Sequence, residues 1–105
     1  MSGDVIETSW KVLAATGRLD ALTGGAIERA CHEALGLAPK VALDLRNVNY
    51  MSSAGLRILL SSLKLASSRN GAFALIAPQE NVREVLEMSG FTKIFLIVDD
   101  ASSLL

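Results

Sequence analysis

Apolar residues in this chain switch between two periods, and that switching limits the fold more than any other feature. Short runs without polar alternation occupy residues 10–16, 41–45, 73–77 and 94–98. Between them, Ile27, Ala30, Cys31, Ala34 and Leu35, then Leu56, Leu59, Leu60 and Leu63, then Val82, Val85 and Leu86 recur at helical spacing. Gly17, Gly36 with Pro39, Asn70-Gly71, Pro78 and Gly90 punctuate the sequence where one period gives way to the other. Strands alternating with helices imply βαβ units, so the expected architecture is α/β, a mixed but largely parallel sheet flanked by helices. Residues 5–8 are a candidate extra edge strand, and Asp99 a candidate cap for a short last helix.

With 105 residues the chain suits one domain, expected to span residues 1–105. Half the residues are hydrophobic but only 5% are aromatic, so Leu, Val, Ile and Ala must build the core. A net charge of -1 without any basic run leaves nothing to hold nucleic acid or an anionic membrane. The longest apolar runs, residues 72–77 and 94–98, fall far short of the ~20 residues that span a bilayer. Asp4 and Glu7 are not expected in a secretory leader. A single cysteine forbids an intrachain disulfide, and the expected compartment is the cytoplasm.

Catalytic patterns are incomplete. Ser53-Ala54-Gly55 has half of a nucleophile elbow, but Met51 stands where the leading glycine belongs. His32, the sole histidine, reads as a partly exposed surface residue, and Cys31 beside it as a small core residue. The pair has no further metal ligands at hand, so neither metal nor cofactor is expected. Thr23-Gly24-Gly25 lacks both the lysine of a P-loop and a full dinucleotide fingerprint; Thr23 is expected to cap the first helix while the glycines let the chain turn.

Residues 47–63 hold the main candidate site. Ser52 or Ser53 should cap the second helix, and Gly55 should permit close approach to a neighbouring strand. Met51, expected in a loop that faces water, would then be an apolar anchor beside exposed hydroxyls. In a parallel sheet, partners meet the loops at the carboxyl ends of strands. Gly17-Arg18-Leu19-Asp20 and residues 49–53 should therefore share one edge of the domain.

Val41-Ala42-Leu43-Asp44-Leu45, continued through Val48, Met51, Ser53, Gly55 and Leu56, resembles the signature of STAS domains. Gly17-Arg18-Leu19-Asp20 is similar to that family's first loop, and Ser89-Gly90-Phe91 to a later segment. The likeness runs from about Trp10 to the C-terminus, and the subgroup most resembled is the stand-alone anti-sigma-factor antagonists. The resemblance implies a binding module, not an enzyme, that works by partner switching. Unmodified, it would bind an anti-sigma factor that is also a serine kinase; phosphorylation would release it, and a phosphatase would reset it. The acceptor maps onto Ser53, with Ser52 as the second candidate, because Ser52 replaces an aspartate common at that position. Asp20 maps onto an acidic residue near the acceptor. The partner surface implied is Asp20, Met51, Ser52, Ser53, Gly55 and Leu56. The alternatives are an unphosphorylated STAS subunit of a transporter or signalling assembly, and a small serine hydrolase that uses His32.

Overall fold

The computed structural model describes residues 10–104. The elements are β1 (Lys11–Leu19), α1 (Gly24–Leu37), β2 (Lys40–Met51), α2 (Ser53–Ser68), β3 (Ala72–Ile76), α3 (Glu80–Met88) and β4 (Leu96–Val98). Short 3-10 helices cover Phe91–Lys93 and Ala101–Leu104. The strands stand in the order β1-β2-β3-β4, and every pairing among them is parallel. The candidate edge strand at residues 5–8 lies outside the described residues.

Strand order that follows chain order has a consequence for the layers. Right-handed crossovers then bring every connecting helix to the same face. Val41, Leu43, Leu45, Phe73 and Leu75 form one cluster with Cys31, Ala34 and Leu35 of α1, Leu59 and Ala66 of α2, and Val82 and Leu86 of α3. The opposite face carries Ala42, Ala74 and Ile76, covered by Trp10, Val98, Ala101 and Leu104. Among the described residues this face is covered by Trp10 and one short 3-10 helix, whereas the other face takes three helices.

Several expected boundaries move. The buried seam of α2 is Gly55, Ile58, Leu59, Ser62 and Ala66; of the expected stripe only Leu59 is fully buried, while Leu56, Leu60 and Leu63 flank the seam partly covered. Small residues take the centre because α2 lies close against both α1 and the sheet, so size outranks hydropathy there. Thr23 stands at the N-cap of α1 without a side-chain cap bond. Gly24 and Gly25 have no positive φ, and Gly24 is instead the point where α1 meets the Ile58 side chain of α2. Helix α1 continues through Gly36, and the Ala38 N–H closes onto Ala34 O at 2.9 Å before Pro39. Ile94 falls in the turn before β4, and Asp100, not Asp99, meets the last 3-10 helix, through its carboxylate to Ser102 N at 3.5 Å and its carbonyl to Ser103 N at 3.0 Å.

Strand β2 reaches well past the expected residue 45. Its first part lies between two partners, with Asp44 paired to Ala14 on one side and Ile76 on the other. Beyond that point β3 stops, and residues Asn47, Val48, Tyr50 and Met51 pair with β1 alone. This ribbon carries the candidate site past the end of the main sheet. Its unpaired edge is met by side chains from the start of α3: Gln79 Nε2 donates to Arg46 O at 2.8 Å and Asn81 Nδ2 to Asn49 O at 2.9 Å. These bonds blunt what would be an open strand edge.

Candidate functional site

The ribbon is irregular, and its irregularity decides which side chains face solvent. The β1–β2 register steps from Ala14↔Asp44 to Thr16↔Asn47, and again from Gly17↔Val48 to Arg18↔Tyr50. Each step leaves β2 with one extra residue. Gly17, at the second step, takes φ of +77°, a conformation that a residue with a Cβ adopts only under strain. An extra residue reverses the in–out alternation of a strand. Val48 points inward, Asn49 is the added residue, and the alternation restarts one place late. The two added residues together restore the phase set by Leu45, so that Met51 points inward and Tyr50 outward, and Val48 is the residue turned inward between the steps.

That overturns the expected place of Met51. It is not a water-facing loop residue: it ends β2 and is only 4% exposed, packed in the core with Leu19. The exposed apolar groups beside the site are Tyr50, 41% exposed, and Leu22, 94% exposed. Neither was singled out from sequence. Leu22 looks like an ordinary loop residue, and Tyr50 falls in a stretch expected to be loop, whereas it is the outward residue of a strand that runs on to Met51.

The two loops meet as expected on one edge. Ser52 N–H donates to Leu19 O at 3.0 Å, joining the end of β2 to the end of β1. Ser52 is the N-cap of α2: its backbone is extended and its Oγ accepts from Gly55 N at 3.4 Å. Gly55 sits where a Cβ would come within 2.6 Å of Leu19 O and 2.9 Å of Met51 Cγ, so only glycine lets the first turn of α2 close onto the strands. Ser53 is the first residue of α2 and is exposed, and its hydroxyl makes no hydrogen bond among the described residues. The cap and the free hydroxyl are thus separate residues. Leu56 is half-buried just behind them.

Asp20 organises the facing loop. Its Oδ1 accepts from Leu22 N at 3.0 Å and Thr23 N at 3.1 Å, and its carbonyl accepts from Gly24 N at 2.8 Å. The Thr23 hydroxyl turns away from α1, donating to Arg18 O at 2.6 Å and accepting from Asp20 N at 3.0 Å. Asp20 thus takes over the work expected of Thr23, because its carboxylate reaches two free amides at once. Its Oδ2 accepts from Arg18 Nε at 3.1 Å. The Thr23 amide, and then the Arg18 guanidinium, hold this carboxyl below its usual 3.8. Arg18 in turn lies over the Tyr50 ring, 4.1 Å from its centroid, as their register pairing dictates. Arg18, Asp20, Leu22, Tyr50, Ser53 and Arg57 line one open hollow of about 370 Å³.

The elements of a serine hydrolase do not converge on Ser53. His32 Nε2 lies 3.1 Å from Ser61 Oγ, which donates to Glu28 Oε2 at 2.8 Å. Ser61 is two turns further along α2, roughly 12 Å on by helical rise. Cys31 is fully buried, and burial pushes its thiol up to about 11, with a smaller opposing effect from the Ser62 hydroxyl. It is a neutral core residue across the physiological range.

The model of the STAS domain matches residues 4–103, and the chain belongs to that family. Its relatives include the anti-sigma F factor antagonist of Paenibacillus polymyxa, 31% identical over 87 residues, 81% of this chain and 74% of that one. BtrV of Bordetella bronchiseptica, named as a candidate anti-sigma factor antagonist, is 42% identical over 60 residues, 57% of this chain. The aligned part spans about half the length of BtrV, 52%. Among solved structures, the anti-sigma factor antagonist SpoIIAA in its unphosphorylated form superposes with a TM-score of 0.77 at 18% identity. That likeness covers 95% of this chain and 89% of SpoIIAA, and it shows the shared fold. No helix among the described residues is long and apolar enough to cross a membrane.

Proposed function

We propose that this domain is an anti-sigma-factor antagonist that acts in the cytoplasm as a phosphorylation-switched binding module, not as an enzyme. Unmodified, it binds an anti-sigma factor with serine-kinase activity; phosphate on Ser53 releases it, and a phosphatase resets it. The observation that carries this reading is the division of labour at the turn. The Ser52 hydroxyl accepts the cap bond, whereas Ser53 is exposed, makes no side-chain hydrogen bond among the described residues, and lines the same hollow as Asp20. A phosphate at the first residue of a helix meets free N–H groups, so the fold tolerates it. The partner does not: desolvating or repelling a dianion at a contact surface costs about 3–4 kcal/mol, several hundredfold in affinity. Leu22 and Tyr50 take the anchoring role that the sequence suggested for Met51, while Gly55 and Leu56 support the surface from beneath.

The test is phosphorylation by the cognate kinase with ATP, followed by mass spectrometry of the peptide and titration calorimetry of the variants. Phosphate is expected on Ser53. Ser53→Ala is expected to bind and stay bound with ATP present, Ser53→Asp to bind more weakly, and Leu22→Ala to weaken binding of the unmodified protein. Phosphate on Ser52, with Ser53→Ala still a full substrate, would transfer the acceptor role to Ser52. If neither serine is modified and binding is unaffected, the chain is instead a subunit of a transport or signalling assembly.

A further inference from the structure

The surroundings of Ser53 are more basic than a net charge of -1 leads one to expect. Two guanidiniums, Arg18 and Arg57, line the hollow that holds Ser53, and among the described residues Asp20 is the only carboxylate lining it. Arg57 stands four residues after Ser53 on α2, so the two side chains rise from one helix face with Cβ atoms about 6 Å apart. Arg57 is exposed and makes no ion pair among the described residues. Arg18 is held from two sides, through Nε by Asp20 and through its face by Tyr50. Both of its terminal nitrogens remain without a partner among the described residues. A guanidinium anchored through Nε still presents two N–H groups, the fork that matches phosphate oxygens.

We infer that Arg57 and Arg18 form an internal clamp for the phosphoserine at position 53, with Arg57 the main contact. This rests on Ser53 as the acceptor and adds where its charge goes. The clamp makes the phosphorylated form a defined state of this chain: the dianion is paired from within, and the two arginines are withdrawn from any acidic group that a partner presents to them. Phosphorylation would then act twice on the interface, by adding negative charge and by removing positive charge.

Installing phosphoserine at position 53 during translation makes the test independent of any kinase. Phosphorus-31 NMR then follows the second ionisation of the phosphate against pH. An unperturbed phosphoserine titrates near about 6. The clamp predicts a midpoint below that in the wild-type background, since cations favour the dianion. Arg57→Gln should raise it by about half a pH unit, Arg18→Gln by less, and Arg57→Lys should keep most of the lowering. The thermal midpoint should rise by about 2–4 °C on phosphorylation, and Arg57→Gln should remove most of that gain. Both arginines are exposed, so the glutamine variants are expected to fold, which circular dichroism checks. An identical phosphate midpoint in the wild type and both glutamine variants overturns the clamp. If the installed phosphate titrates as described but the kinase never modifies Ser53, the acceptor assignment fails and the clamp stands.

Discussion

The two halves of β2 are built from one continuous strand yet obey different rules. Residues 41–44 lie between β1 and β3, and Val41, Ala42 and Leu43 are all buried. Residues 46–51 pair with β1 alone, through two register steps, and alternate irregularly between core and solvent. A strand held on both sides cannot absorb an added residue without breaking two ladders. A strand held on one side can, and each added residue re-aims the side chains between it and the next. The inner half supplies stability, and the outer half supplies a surface, with Met51 as the point where they meet.

Met51→Ala tests that boundary with the largest expected effect. If Met51 belongs to the core, truncation should cost about 2–5 kcal/mol by denaturant titration. A loss below about 0.5 kcal/mol would mean that the outer half has no core of its own and that Met51 faces solvent after all.

Next come the paired serines. Ser52→Ala should cost about 0.5–1 kcal/mol, toward the low end because the cap bond to Gly55 is long at 3.4 Å. Ser53→Ala should stay within about 0.5 kcal/mol of wild type. Reversed values in the same titration would show that the hydroxyls have exchanged roles, with Ser53 the cap and Ser52 the free hydroxyl.

The smallest effect concerns the loop that faces the outer half. The folded-state pKa of Asp20 is lowered by the Thr23 amide and Arg18. A lowered carboxyl contributes stability that is present above its unfolded value and lost as pH falls through the folded one. Carbon-13 NMR of the Asp20 carboxyl should therefore give a midpoint below 3.8, and Arg18→Gln should raise it. A midpoint at or above 3.8 in the wild type would mean that the loop is not tied to the ribbon in solution.

Much of this was written in local pattern. The β-α-β-α-β-α-β order follows from the change of apolar period, and the close approach at Gly55 from a glycine just inside a helix. The shared edge of the Arg18–Asp20 and Tyr50–Ser53 segments follows from parallel pairing. These rest on short-range chemistry, namely backbone propensity, periodicity and turn residues, which a sequence carries directly. The α2 seam did not follow, because Ser62 and Ala66 replace the expected leucines wherever helix and sheet come too close for a large side chain. Nor did the extension of β2 to Met51, or the inward turn of Val48 between two register steps. A bulge at Asn49 is a property of two strands brought into register, and no residue of β2 announces it. The same holds for Gln79 and Asn81, whose bonds to Arg46 O and Asn49 O exist only once α3 has been laid against the ribbon. The sequence determined which residues could serve a switch at this turn. The tertiary structure decided which of them face solvent, because that depends on β2 running on to Met51 through two register steps while paired on one side only.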